Sequence, residues 1–110
     1  QSVSGSTNFP RAIEGGVNWA TKFLEHVRAR GCTRFEVRPE AEQHWQEEVA
    51  QAYSHLLLRH GKGWFTGYNS NVRGLEGGQI RHQAYFGPGP KYAKMVRRAA
   101  DEGYPGIDLG

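Results

Sequence analysis

Gly61-Lys62-Gly63-Trp64-Phe65-Thr66-Gly67-Tyr68-Asn69-Ser70-Asn71 sets two adjacent aromatics among glycines, hydroxyls and amides. Gly61 and Gly63 break any helix that precedes them, and no helical period resumes before Gly78. The stretch therefore parts a helical first half from a shorter second half. With glycines at 61, 63, 67, 74, 77 and 78, residues 61–78 read as a long loop, and loops of that length in a small domain are either functional or disordered. A Trp needed only for packing would lie on a helix or strand face. Trp64 instead offers, within a loop, a large flat apolar surface with one N–H at its edge, which suits a residue that shields a bound group and hydrogen-bonds it.

Working back from the loop, Pro39 opens a helix with Glu40 and Glu42 in its first turn and Arg59 and His60 at its end, all matched to the helix dipole. Its apolar face is Ala41, Trp45, Val49, Ala52 and Leu56. Before it, residues 33–38 alternate Phe35 and Val37 with Arg34, Glu36 and Arg38, the period of a short strand. Earlier still, Asn8 and Pro10 supply cap and first-turn chemistry for a helix carrying Ile13, Val17, Ala20, Leu24 and Val27 and ended at Gly31. Gly15 and Gly16 weaken that helix by about 1 kcal/mol each relative to Ala.

Beyond the loop, residues 79–86 offer Ile80, Ala84 and Phe86 in a strand-like segment. Pro88 and Pro90 lead into a third helix with Tyr92, Met95, Val96 and Ala99, stopped at Gly103, and a turn and a few extended residues close the chain. The expected fold is α+β and helix-dominated, with three helices and two short strands. It divides into residues 1–8, 9–60, 61–78 and 79–110. A lone strand pair is marginal in water, so the strands want a sheet this chain does not contain.

At 110 residues the chain is at most one small domain, able to bury roughly 60–70 % of its unfolded surface. It opens on Gln1 with a polar run and no apolar core of a secretory signal, so it reads as excised from something longer. The formal charge of +3 permits an anionic ligand without demanding one. Cys32 has no partner for a disulfide, which suits a reducing cytoplasm. No apolar run is long enough to span a membrane.

The chain carries no dinucleotide fingerprint, phosphate loop or paired-cysteine metal motif. His26, His44, His55, His60 and His82 lack the spacing of two ligands on one helical face. Glu47 and Glu48 are adjacent on a helix and point about 100° apart, wrong for a shared carboxylate site. Lys91, Lys94, Arg97 and Arg98 make the third helix basic, beside Tyr92, so a small basic module binding nucleic acid or an acidic protein is the alternative reading. A purely structural helical piece is the third.

Three blocks in order resemble the Baeyer–Villiger type of flavin-containing monooxygenase, in its C-terminal portion. The first is Ser6-Thr7-Asn8-Phe9-Pro10-Arg11-Ala12-Ile13-Glu14 with Val17 and Trp19. The second runs from Arg34-Phe35-Glu36-Val37 through Glu40-Ala41-Glu42 to Trp45 and Val49. The third joins Trp64-Phe65-Thr66-Gly67-Tyr68-Asn69 to Tyr85-Phe86-Gly87, Tyr92 and Gly103-Tyr104-Pro105-Gly106-Ile107. The resemblance implies a parent with FAD- and NADP-binding Rossmann domains upstream, in which NADPH reduces FAD and a ketone becomes an ester or lactone. The dinucleotide anchors and the catalytic arginine would then lie upstream, leaving no catalytic residue and no metal ligand in this chain.

The same resemblance implies roles for particular residues. Trp64, with Asn69, matches the family's mobile control loop, whose tryptophan hydrogen-bonds the nicotinamide cofactor on closure. Ser6, Thr7 and Phe9 match a loop edging the flavin and substrate pocket, and Ala84 sits where a larger pocket residue is common. The implied partners are the upstream FAD and NADP domains and a ketone, with no membrane and little case for nucleic acid; the fragment alone would expose surfaces for pairing with a second copy. After Asn69 the chain departs from the family's Asn-hydrophobic-Pro-Gly-Lys pattern, carrying Ser70-Asn71-Val72-Arg73-Gly74-Leu75-Glu76-Gly77-Gly78 instead.

Overall fold

The computed structural model describes residues 8–73, 82 and 84–110. Asn8 caps the first helix, α1 (Phe9–Ala29), its Oδ1 accepting the Arg11 N–H at 3.3 Å, and Pro10 occupies the first turn, where its missing donor costs nothing. Then come β1 (Phe35–Val37), α2 (Pro39–Tyr53), two 3-10 turns at Leu57–His60 and Trp64–Thr66, α3 (Gly89–Asp101) and β2 (Ile107–Leu109). The three helices and two short strands are those the sequence leads one to expect in number and class. Their placement differs: the helix expected to run to His60 ends at Tyr53, Leu56 is extended, and Arg59 and His60 fall in the separate 3-10 turn.

The second strand is the tail. β1 and β2 pair antiparallel, Phe35 opposite Leu109, Glu36 opposite Asp108 and Val37 opposite Ile107, whereas in the 79–86 segment the described residues show only an isolated bridge at Tyr85. The apolar members of the pair share one face of the ribbon, with the Phe35 ring edge-on to Phe23 at 4.9 Å. On the other face Arg38 holds Asp108 at 2.6 Å. Gly106 lets this ribbon lie close against α2, because a Cβ there would stand 2.7 Å from that of Ala41.

The buried side chains collect in two clusters with α3 between them. The first joins Phe23, Val27 and Tyr104, flanked by Trp19, Cys32, Ala100, Ile107 and Leu109. The second joins Val49, Tyr53 and Tyr85, flanked by Trp45, Leu58, Phe86, Tyr92 and Met95 among others. Trp19 donates its indole N–H to the Val96 carbonyl at 3.1 Å and so ties α1 to α3. Tyr104 takes a positive φ of 58°, rare for a bulky residue. It is held there by rings of Trp19, Phe23 and His26 at 5.5, 4.9 and 4.8 Å, while its N–H closes the α3 C-terminus on the Ala99 carbonyl at 2.7 Å.

α1 presents a different face to this core than its periodicity suggests. Val27 is buried, but Ile13, Val17 and Leu24 are all more than half exposed, and Ala20 is exposed with them. The packed stripe is Trp19, Phe23 and Val27, about 90° around the helix from the other. α1 thus has two apolar faces, and the chain covers one. Around Gly15 and Gly16 a Cβ would meet nothing within 4 Å among the described residues, so none of these answers the cost of either glycine.

The radius of gyration is 15.7 Å, where a compact domain of this length has roughly 13 Å. The chain exposes 8350 Å², against roughly 6,100 Å² for a compact monomer of its size. Among the described residues the buried core is two thin clusters, and much surface stays exposed.

Candidate functional site

Thr66 organises the loop after α2. Its side chain is buried at 4 % exposure, and its hydroxyl lies 2.7 Å from the Gly61 carbonyl and 3.1 Å from that of Gly63, while accepting the Gly63 N–H at 3.3 Å. A hydroxyl has one proton to give, and the shorter contact assigns it to Gly61. Gly67 closes the turn in the left-handed region at φ 73°, its N–H reaching the Trp64 carbonyl at 2.9 Å, and the Tyr68 N–H returns to the Gly63 carbonyl at 3.1 Å. Residues 61–68 are therefore an ordered unit. Residues 74–78, the rest of the expected loop, lie outside the described residues.

Valine in place of Thr66 keeps the branched shape and removes the hydroxyl, leaving the half-buried Gly63 backbone groups and the exposed Gly61 carbonyl without it. The expected cost is about 1–3 kcal/mol, confined to the turn. Hydrogen exchange at the Gly67 and Tyr68 amides should accelerate by roughly 5- to 100-fold; unchanged protection would show that the hydroxyl does not hold the turn.

With the turn held from behind, Trp64 stands outward at 81 % exposure. Phe65 turns back, its ring edge-on to Phe86 at 5.3 Å. Asn69 uses its Oδ1 to accept the Asn71 N–H at 2.9 Å, a local turn that carries the chain onward. Lys62 lies 5.6 Å over the Tyr68 ring.

Tyr53, absent from the residues singled out in the sequence, is the hub behind this surface. Only 1 % exposed, it donates its hydroxyl to the Phe65 carbonyl at 3.3 Å and accepts the backbone N–H of Ala84. Its ring stacks on His82 at 4.0 Å and meets Phe86 edge-on at 5.3 Å. Burial pushes the Tyr53 phenol up, with the Ala84 hydrogen bond opposing it, and burial pulls the His82 imidazole down. Both groups are thus neutral near pH 7. The signal was present in the sequence, because Tyr53 continues the four-residue spacing of Trp45 and Val49 on the buried face of α2.

The structure thus joins two of the expected site segments, the Trp64 turn and Ala84, through Tyr53. Phe9 stands on another element, opening α1 with its ring 58 % exposed, beside a shallow open depression lined by Asn8, Pro10, Arg11, Ile13 and Glu14. Ser6 and Thr7 lie outside the described residues. Among the described residues no group of three or more His, Cys, Asp or Glu side chains could hold a metal ion, and no helix is long and apolar enough to cross a membrane. On the basic helix, Lys91 pairs with Glu48 at 3.2 Å and Arg98 with Glu102 at 2.7 Å. Half of the cations that suggested a nucleic-acid surface are therefore already answered within the chain.

No protein-family model matches the chain. It is 27 % identical over 109 residues to the 2-oxo-Delta(3)-4,5,5-trimethylcyclopentenylacetyl-CoA monooxygenase of Pseudomonas putida, covering 96 % of this chain and 19 % of that protein. It is 23 % identical over 103 residues to the cyclohexanone 1,2-monooxygenase of an Acinetobacter species, covering 94 % and 18 %. Its fold superposes on cyclohexanone monooxygenase from Rhodococcus sp. Phi1 bound to NADP+ with a TM-score of 0.80 at 24 % identity, over 98 % of this chain and 19 % of that one. A closed crystal structure of cyclohexanone monooxygenase gives 0.78 at 25 % identity, over 99 % and 20 %. The chain spans about a fifth of the length of the relatives it matches. In sequence and fold the chain is similar to a segment of these monooxygenases.

Proposed function

We propose that this chain is part of an FAD- and NADPH-dependent monooxygenase that inserts oxygen next to a ketone carbonyl, and that it supplies a cofactor-gating loop and part of the substrate pocket wall. The observation that carries the reading is Trp64, an indole 81 % exposed on a turn ordered from behind by Thr66 and Tyr53. A large aromatic held out in water by built structure is suited to close on a partner surface that the chain itself lacks. The residues present fit a nicotinamide at that place: the indole would cover its face and donate one N–H, with Asn69 at the same rim. When bound, the nicotinamide supplies hydride and the flavin activates oxygen; this chain's part is to cover, orient and exclude water.

On this reading Phe9 and Ala84, with Ser6 and Thr7, belong to the pocket wall. Ala84, small and half-buried, leaves room for a bulky ketone. The upstream FAD and NADP domains are the chain's principal partners. The free thiol of Cys32 accords with a cytoplasmic parent.

The test is made on the full-length protein. Purified from cells, it should carry a flavin absorbance and consume NADPH faster when cyclic ketones are supplied. Neither bound flavin nor ketone-dependent consumption would overturn the proposal.

A further inference from the structure

Resting on the gating role proposed above, we infer that Tyr53 is a positioning residue of the Trp64 loop, a latch whose hydroxyl links the turn to the segment bearing Ala84. Three observations converge on it. The hydroxyl donates to the carbonyl of Phe65, the residue next to Trp64, and accepts the Ala84 N–H. Tyr53 sits at the last position of α2, anchored in the second cluster with Val49 and Tyr85. The turn is internally stapled by Thr66, so fixing a single carbonyl fixes the orientation of the whole unit, Trp64 included.

The latch also has a way to release. Gly61 opens the stapled turn and frees the backbone there, while Gly67 lies inside the unit, spanned by the bond from the Tyr68 N–H to the Gly63 carbonyl, so the turn and Tyr68 swing together. Tyr53 is 1 % exposed, so water does not take over its hydroxyl while the turn stays docked. Swinging the turn gives up one neutral hydrogen bond and the Phe65–Phe86 ring contact. A bond of this class biases a two-position equilibrium by about two- to tenfold, enough to set the resting position of Trp64 and weak enough for a ligand to override. Because the same hydroxyl holds Ala84, the pocket wall and the gate share one anchor.

Tyr53→Phe keeps the ring against His82 and Phe86 and removes only the hydroxyl. The full-length protein is labelled with 5-fluorotryptophan, the Trp64 signal being assigned by its loss in Trp64→Phe. In Tyr53→Phe the fluorine signal of Trp64 should shift or broaden while those of Trp19 and Trp45 stay in place. The KM for NADPH should change by about two- to tenfold with kcat at saturating NADPH unaltered. An unmoved Trp64 signal would overturn the latch, and so would a common shift of all three tryptophans, which marks a merely structural residue. A moved Trp64 signal with an unchanged KM keeps the latch and removes the nicotinamide-gating reading instead.

Discussion

Aspartate at both Val17 and Leu24 will leave the full-length protein without retained flavin and with most of its soluble yield lost, although neither side chain belongs to a buried cluster of this chain. Both lie on the α1 stripe with Ile13 and Ala20, and Phe9, Ile13, Val17 and Leu24 are 53–58 % exposed. A globular helix buries one apolar stripe and solvates the opposite side. α1 instead buries Trp19, Phe23 and Val27 and leaves a second apolar stripe bare. Fully burying a Val or Leu side chain stabilises by about 1.5–3 kcal/mol, so covering the stripe is worth several kcal/mol to whatever covers it. The relatives are some five times longer than this chain, and on the reading proposed above the remainder of such a protein is the occupant of this surface.

Two carboxylates pressed into that contact would forfeit the apolar gain and bury unpaired charge, a penalty of several kcal/mol each. Set against a typical net stability of about 5–15 kcal/mol, that is enough to unfold the parent. Flavin absorbance per protein and soluble yield are the measurements. In the isolated 110-residue chain the same stripe should drive pairing of two copies, and the double variant should shift its sedimentation toward monomer. A full-length variant with wild-type flavin content would show the stripe to be plain solvent surface.

That second stripe shows where sequence reasoning reached and where it stopped. The helices were legible because local chemistry marks their ends: the Asn8 cap, Pro10, Pro39 and Pro90 in first turns, Gly31 and Gly103 at the stops. Which face of α1 turns inward was not, because both faces are apolar and periodicity cannot rank them; the aromatics Trp19 and Phe23 decided it by their larger buried area. The β1–β2 pairing was hidden for a different reason. It joins residues about seventy positions apart, and nothing local in Ile107–Leu109 names its partner.

In the loop the conspicuous residue was legible and its supports were not. Trp64 announces itself among glycines, while Thr66 looks like any solvated hydroxyl until the turn folds around it. For Tyr53 the spacing from Trp45 and Val49 marked the buried face, but its partners were not legible. Its place on the apolar face of α2 depends on a polar tip finding the Phe65 carbonyl and the Ala84 N–H, two groups that only the tertiary fold brings within reach.

Trp64→Ala will cost the full-length enzyme NADPH affinity and coupling without costing it stability. The side chain is 81 % exposed, and the hydrogen bonds that shape and hold the turn run through backbone groups and the Thr66 and Tyr53 hydroxyls. The melting temperature should therefore stay put, since substitutions at exposed positions of this kind fall within about 0.5 kcal/mol. Affinity is another matter. Losing an indole that covers a ligand face removes apolar contact and one N–H donor together, about 2–3 kcal/mol, or roughly 30- to 150-fold in NADPH affinity. Trp64→Phe keeps a flat ring and drops the donor, so it should fall between the two, and the gap between Phe and Ala separates contact from hydrogen bond. Coupling should fall as well, because a gate that no longer covers the site admits water to the reacting centre. If Trp64→Ala binds NADPH and couples its oxidation as the wild type does, the ordered turn behind it serves only to pack the second cluster, and the gating role has to be given up.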